Sequence, residues 1–419
     1  ALKTFSQTSK EERIGYLEKL HAALKAREQD LIDVMVDEYG GASAFVEMIM
    51  PYSIDDFKEM AGVVKDFDFE PKAGHSKVRL QAAGVVGIII PWNMSNGFIC
   101  TKVASAIGAG CTVVIKPAEL SAQQTQVMME CIHAAGIPKG VVNILHGTGP
   151  VVGNELTVNP DVNKISFTGS TGVGKTIAKG AADTMKRVTL ELGGKSPNII
   201  LDDADFADAI PKAIFAAYLN SGQACAAATR LLVPAKRLDE VNAIAKATIE
   251  QAVKVGDPKD KSVNIGPMVS RKQWETIQGY IHSGIEQGAT LLTGGLGKPE
   301  GLETGNFVKP TIFTNVNNKM RIAQEEIFGP VLCIIPYEDD ADAIKIANDT
   351  PYGLCSYITS ADKNRAYELA KHIDAGRVCI NNVLHDPLAP FGGFKQSGVG
   401  REYGVFGLEA FLEPKAVIG

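Results

Sequence analysis

The segment NSGQAC, residues 220–225, carries one cysteine, Cys225, out of the apolar run IFAAYL (214–219) and into a glycine turn. A thiol placed there is a candidate nucleophile. The apolar run packs one face on a core, and Gly222 frees the backbone so that the sulfur can approach a substrate closely. Upstream, the β-rich stretch RVTLELGG (187–194) carries Glu191 beside two glycines, a carboxylate at a strand end where a base could act on Cys225 or on a water. Each residue also has a plainer reading. Cys225 could be a buried structural thiol, the usual fate of a lone cysteine, and Glu191 a solvated strand-end carboxylate.

The elements that must hold these groups follow from the hydrophobic pattern. Ser9-Lys10-Glu11-Glu12 forms a capping box, and Ile14, Leu17, Leu20 and Leu24 recur at helical spacing, so the chain opens with an amphipathic helix. From residue 84 to 201 short β-rich runs alternate with helical ones: GVVGIII, then 96–109; TVVIKP, then 121–135; VVNIL, then 150–157; KISF, then 172–184; and RVTLEL. That alternation predicts a parallel sheet with helices on its faces, an architecture suited to nucleotides. A second alternation runs from NIIL (198–201) through helices near 206–220, 236–254 and 270–287 to VCIN (378–381), and predicts a second α/β domain. The charged, alternating stretch DFDFEPKAGHSKVRLQ (66–81) reads as an exposed hairpin, and the tail EAFLEPKAVI (409–418) as another strand.

Bulk properties narrow the function classes. A chain of 419 residues with 45% hydrophobic content is too long for one ordinary core and suggests two or three soluble domains. Its formal charge of -6 speaks against non-specific nucleic-acid binding, which needs a concentrated basic surface. The run GVVGIII (84–90) ends at Pro91 and is far too short to span a bilayer, and the first residues lack a secretory layout, so a cytoplasmic protein is expected. Seven cysteines lie scattered without CxxC pairs and read as reduced thiols, six of them as small buried hydrophobes; the seven histidines show no metal-ligand spacing, so no metal is expected.

With PWN (91–93) and EEIFGP (325–330), the motifs NSGQAC and ELGG resemble those of the aldehyde dehydrogenase superfamily, in order and rough spacing, from near residue 9 to near residue 415. The resemblance implies an α/β fold of two parallel-sheet α/β domains, one Rossmann-like and one catalytic, plus a small β oligomerisation arm. Expected boundaries are 1–63 and 83–193 for the NAD-binding domain, 194–396 for the catalytic domain, and 64–82 with 405–419 for the arm, through which a homodimer or homotetramer would pair. Family members usually carry a further segment before the first helix, so a truncated or partly ordered chain is expected.

The implied chemistry is oxidation of an aldehyde. Cys225 adds to the carbonyl, hydride leaves to a nicotinamide, and water activated by Glu191 releases the acid from the resulting thioester. Asn93 points an amide N–H at the oxyanion together with the Cys225 N–H; the alternative is an Asn that caps the helix starting near 96. Branches of the family that pass the acyl group to coenzyme A usually lack the carboxylate at Glu191, so this chain resembles a hydrolytic member.

For the cofactor, Lys116 and Glu119 lie just after a strand, where the adenine ribose would sit, and Glu119 favours NAD while leaving NADP possible. Glu326 and Phe328 match positions that hold the nicotinamide ribose and ring, Trp92 points to the phosphates, and Gln273 to the nicotinamide ribose; their plain readings are a surface acid, a core Phe, a core Trp and an exposed Gln. The same carry-over adds Ile90, Pro91, Gly149, Phe167, Thr168, Gly169, Ser170, Val173, Leu192 and Gly193. Met94, Leu219, His385 and Phe391 fall at tunnel-lining positions and suggest a neutral aliphatic or aromatic aldehyde, although a lone loop histidine is more often solvated. The stretch PFGGFKQSGVGRE (390–402) matches the family's glycine-rich linker, its glycines serving tight turns.

Two rival readings stand beside this one. GSTGVGKT (169–176) satisfies the P-loop pattern between a strand and a helix, and NIILDD (198–203) offers carboxylates for magnesium, as in a nucleoside triphosphatase or phosphotransferase. That pattern requires only that backbone N–H groups and a helix N-terminus face an anion, which a dinucleotide pyrophosphate satisfies equally. In the family reading Ser170 reaches a phosphate oxygen, Thr171 replaces the middle glycine of GxGxxG, and Lys175 is a helix surface residue. The other rival is a non-catalytic binding protein that keeps the fold, against which the set Cys225, Glu191 and Asn93 argues.

Overall fold

Valine and isoleucine dominate the runs that become parallel strands, because a strand covered on both faces by helices carries nearly continuous apolar sequence. The computed structural model describes residues 1–381 and 385–418; positions 382–384 of the expected catalytic domain and 419 of the expected arm lie outside the described residues. Its first sheet has six strands in the order Gly398–Val399, Arg187–Glu191, Lys164–Thr168, Val85–Ile89, Thr112–Lys116, Val142–Ile144. All pair in parallel except Gly398–Val399, which runs antiparallel and sets Gly398 opposite Glu191. The glycine-rich stretch 390–402 is thereby tied to the strand that ends in Glu191.

The opening helix Lys10–Lys25 has its capping box, with the Glu12 N–H donating to Ser9 Oγ at 3.1 Å and the Ser9 N–H to Glu12 Oε2 at 2.7 Å. Leu17, Leu20 and Leu24 bury that face against Met50, Ile54 and Phe57 of the long helix Ser43–Asp66 and against Ile99 and Val103 of Ser95–Ala109. That long helix contains Pro51, a residue that argues against helix in a sequence, and packing on both neighbours overrides it.

A second sheet has seven strands, ordered Thr290–Thr293, Thr311–Thr314, Val331–Tyr337, Arg230–Pro234, Pro197–Ile200, Cys355–Thr359, Arg377–Ile380, with only the first edge antiparallel. The expected alternation named only its strands at 198–201 and 378–381; the others are short apolar runs whose length alone does not separate strand from helix. A third, antiparallel sheet joins Lys72–Ala73, Ser76–Ala82 and Leu412–Val417. Here the strands of the hairpin begin only at Lys72, several residues after the long helix ends at Asp66, and the tail strand starts only after the helix Gly404–Glu409.

Of the six cysteines read as buried, five are, while Cys379 is only partly covered, at the edge strand of the seven-stranded sheet. Among the described residues no helix is long and apolar enough to cross a membrane.

Candidate active site

Chain segments leave the six-stranded sheet at its carboxyl edge as Pro91-Trp92-Asn93, Gly169-Ser170 and Leu192-Gly193, and these three turns form one wall of a cavity. The opposite wall comes from the seven-stranded domain: Cys225, Gln273, Thr276, Glu326, Ile327 and Phe328. Cys225, Glu191 and Asn93 therefore share one cavity with Pro91, Trp92, Thr168, Gly169, Ser170, Leu192, Gly193, Gln273, Glu326 and Phe328. A second, apolar cavity beside it is lined by Ile89, Gly149, Pro150, Val173, Ile177 and neighbours. Lys116 is buried and donates to Glu119 Oε2 at 3.0 Å, while Glu119 Oε1 accepts from the Gly149 N–H at 2.9 Å, which ties that pair to the second cavity. Ile90 and Phe167 line neither cavity. They lie buried underneath, Ile90 on the Lys116 carbonyl and the Phe167 ring where a Cβ on Gly169 would be.

Cys225 is positioned by an irregular turn. The helix Phe206–Ala217 stops, and Asn220, Ser221 and Gly222 follow with φ of 51°, 59° and 74°, a left-handed run that costs free energy at the two non-glycine positions. Hydrogen bonds hold it: Asn220 Nδ2 donates to the Asn93 carbonyl at 3.0 Å and the Gln223 carbonyl at 3.2 Å, Tyr39 Oη donates to Asn220 Oδ1 at 3.2 Å, and the Gly266 N–H donates to Ser221 Oγ at 2.9 Å. Gly222 is required twice, for its φ and because any Cβ there would collide with the Gly329 carbonyl oxygen.

The Asn93 amide nitrogen donates one hydrogen to the Gln223 carbonyl at 2.9 Å, leaving its second hydrogen to serve the cavity that Asn93 lines. Asn93 does not cap the helix; Met94 occupies that position, and no side chain caps Ser95–Ala109. The glycines after Glu191 make room for protein rather than for ligand alone. A Cβ on Gly193 would run into the Glu326 carboxylate, and one on Gly194 would lie 2.5 Å from the Cys225 carbonyl oxygen.

Electrostatically the cavity is acidic. Burial first, and then the charges of Glu326 and Glu191, push the Cys225 thiol up to about 12, opposed by the backbone N–H groups of Ala226 and Cys225. Glu191 is 3% exposed, which rules out a solvated strand end, and neither carboxylate oxygen has a hydrogen-bond partner among the described residues. Burial and the charge of Glu402 drive its pKa well above the usual carboxylate range, against Lys102, Arg401 and Arg377. Glu326, half-buried and accepting from the Gly194 N–H at 3.1 Å, is pushed up to about 7 by desolvation.

Phe328 has a left-handed backbone, φ 59°, and stands edge-on to Trp92 at 5.8 Å, while Gln273 Nε2 pins the Phe328 carbonyl at 2.9 Å. In GSTGVGKT, Ser170 caps the helix Thr171–Ala182 by accepting from the Val173 N–H at 3.4 Å, and its own hydroxyl hydrogen remains available to an anion. Lys175, the residue a P-loop would aim at phosphates, is exposed and donates to Gln396 Oε1 at 2.9 Å.

Met94, Leu219, His385 and Phe391 are not among the residues lining the cavity with Cys225. His385 accepts from Arg377 and packs edge-on to Tyr403 at 4.6 Å, and Phe391 stands perpendicular to Tyr403 at 6.2 Å. The sequence reading also overlooked Phe98, Thr276 and Ile327 in the cavity wall, the bracing Asn220, and the buried Lys102–Glu402 ion pair. Lys102 had a signal: it is the one charge in the otherwise uncharged helix SNGFICTKVASAIGA.

The profile of the "Aldehyde dehydrogenase family" matches residues 1–417. A 3-succinoylsemialdehyde-pyridine dehydrogenase from Pseudomonas sp is 45% identical over 419 residues, covering 99% of this chain and 87% of that protein. Among solved structures, a cysteine-to-alanine variant of aldehyde dehydrogenase C from Pseudomonas syringae, in complex with NAD+ and octanal, superposes with a TM-score of 0.98 at 43% identity, covering 100% of this chain and 86% of that one. The Mycobacterium tuberculosis aldehyde dehydrogenase complexed with NAD+ gives a TM-score of 0.96 at 40% identity, covering 99% and 86%.

The left-handed turn yields a first prediction. Gly222→Ala meets both a strained φ and the Gly329 carbonyl, so urea unfolding should show a loss of more than about 1–2 kcal/mol; an unchanged midpoint would refute this account of the turn.

Proposed function

The chain belongs to the aldehyde dehydrogenase family, and from that premise we propose which of its own residues oxidise an aldehyde to a carboxylate with NAD. The observation that carries the assignment is the meeting of Cys225, Glu191 and Asn93 in one cavity at the carboxyl edge of the six-stranded sheet. Cys225 is the nucleophile that adds to the aldehyde carbon. The oxygen of the adduct receives the free N–H of Asn93 and the backbone N–H of Cys225. The thiol, raised to about 12, gives up its proton to solvent water as the adduct forms, helped by the backbone N–H groups of Ala226 and Cys225, so Glu191 stays unprotonated for the hydrolytic step. Glu191 then takes a proton from the water that opens the thioester, so the carboxylic acid leaves and the thiol returns.

The cavities fit a dinucleotide. One is apolar, as an adenine requires, with Glu119 at its rim for ribose hydroxyls; the helix N-terminus at Ser170 faces an anion; and Trp92, Glu326, Gln273 and Phe328 line the cavity that holds Cys225. NAD, when bound there, supplies the acceptor for the hydride whose loss turns the Cys225 adduct into a thioester. Hydrogen bonds from Lys116 and the Gly149 N–H outweigh desolvation and hold Glu119 below the usual carboxylate range, so it stays charged and disfavours a 2′-phosphate. This is the support for NAD over NADP. A neutral, apolar aldehyde suits Phe98, Trp92 and Phe328 in the wall, and the Pseudomonas syringae relative is seen with octanal.

The antiparallel sheet exposes Val417 and Ile418 at its end, which favours pairing of this arm in a homodimer or homotetramer. Seven unpaired cysteines favour a reducing compartment, the cytoplasm. The phosphotransferase reading loses its key cation to Gln396, and a fold retained only for binding would have no need of the strained Cys225 turn.

Cys225→Ser should bind NAD yet lose aldehyde oxidation, read as absorbance of the reduced cofactor; full turnover would remove the sulfur from the mechanism. With Glu191→Gln, a burst of reduced cofactor should be followed by slow turnover, since the thioester forms but is hydrolysed poorly. Wild-type steady-state rate should fall as pH drops, because protonation of Glu191, whose pKa is raised, removes the base. Glu119→Gln should raise kcat/KM with NADP relative to NAD, and an unchanged ratio would exclude Glu119 as the selector.

A further inference from the structure

Arg377 opens the edge strand Arg377–Ile380 as a half-buried guanidinium that makes no salt bridge among the described residues. Two sides of it are accounted for. Nη1 donates to His385 Nδ1 at 2.9 Å, and the guanidinium carbon lies 4.9 Å from the centroid of the Phe391 ring. Nη2 is buried and has no hydrogen-bond partner among the described residues. His385 does not share the charge: burial, and then the charge of Arg377, push its pKa down to about 4, so the ring is neutral and its Nδ1 accepts. A guanidinium is always charged, and a buried N–H group left dry is costly, so this arrangement calls for an acceptor that arrives at some stage of the reaction.

The complementary group is nearby. Both oxygens of Glu191 are buried without partners among the described residues, and Glu191 and Gly376, the residue before Arg377, lie against the same glycine, Gly392. A Cβ on Gly392 would stand 2.8 Å from Glu191 Oε1, and one on Gly376, the neighbour of Arg377, would collide with the Gly392 carbonyl oxygen. Charged groups acting on Glu191 are Glu402, Lys102, Arg401 and Arg377. Lys102 is held by Glu402, and Arg401 Nη1 donates to the carbonyls of Gly393 and Gly400. Of the three cations, only Arg377 keeps a buried nitrogen without a partner among the described residues.

We propose that Arg377 is a positioning residue for thioester hydrolysis, its Nη2 donating to the Glu191 carboxylate when that group turns to receive a proton from the attacking water. This rests on the assignment of Glu191 as the base. In the step concerned, the water oxygen bonds to the thioester carbon and one water proton passes to Glu191. The C–S bond then breaks with its electron pair on sulfur, and Cys225 takes that proton from Glu191. Arg377 exchanges no proton. It holds the carboxylate in place and in its ionised form, and neutral His385 orients the guanidinium.

The test compares Arg377→Met, Arg377→Gln and Arg377→Lys with wild type, using octanal and NAD. Loss of the cation makes Glu191 harder to ionise, so the acid-side midpoint of steady-state turnover should rise by about one pH unit in the Met and Gln variants, with about tenfold slower turnover below it. The hydride burst should keep its amplitude, because thioester formation does not use Arg377, and Lys should restore the midpoint. A burst-competent Met or Gln variant with the wild-type midpoint overturns the proposal. So does a fixed midpoint with a raised KM for a carboxylate-bearing aldehyde, which would make Arg377 a substrate-binding residue. Undiminished steady-state turnover by Glu191→Gln would instead overturn the assignment of the base itself.

Discussion

The Asn220 side chain joins the two halves of the site. It reaches from the turn that carries Cys225 to the Asn93 carbonyl at 3.0 Å, so Cys225 of the seven-stranded domain and Asn93, the proposed oxyanion donor, of the six-stranded domain are spaced by one amide. Asn93 returns a hydrogen bond to the Gln223 carbonyl at 2.9 Å, and Tyr39 braces Asn220 from the helix Glu28–Tyr39. The left-handed φ values at 220–222 are strained in isolation and persist because these bonds and the close fit of Gly222 on Gly329 over-determine them. Remove the reciprocal bonds and Cys225 becomes an ordinary thiol near an ordinary cleft.

Around that frame the charges are arranged against their own solvation. Cys225, Glu191 and Glu326 sit together with raised pKa values, and desolvation is the leading cause for each. A carboxyl in such a place is a base with a higher proton affinity than a surface glutamate, which suits general-base work. The cations that temper Glu191 come from three separate elements: Lys102 from the helix Ser95–Ala109, Arg401 from the glycine-rich linker and Arg377 from an edge strand. Gly398 pairing with Glu191 brings that linker to the end of the strand, so its glycines serve close backbone approach.

Much of the molecule is legible before folding. The βα alternation from 84 to 201 is periodic enough to name each strand of the six-stranded sheet except Gly398–Val399, whose two residues carry no strand pattern. In the seven-stranded sheet the signal fails where strands such as Thr311–Thr314 are four residues long and buried on both faces, because neither alternation nor length distinguishes them from helix. At the site, the glycine beside Cys225 and those after Glu191 stand out by type. Asn220 does not, since its role depends on a carbonyl 127 positions away.

By itself the sequence determined the chemistry available: a thiol in a glycine turn, a strand-end carboxylate, an amide after a strand, and the alternating pattern that builds a parallel sheet. Those are local properties, set by residue type and by neighbours within a turn or two. Only the tertiary structure decided that Glu191 is buried and unpartnered rather than solvated, that Asn93 faces the Cys225 cavity rather than capping a helix, and that Lys175 is spent on Gln396. Solvation and charge at a point depend on every segment packed around it, and those segments, from Lys102 to Arg401, lie hundreds of residues apart along the chain.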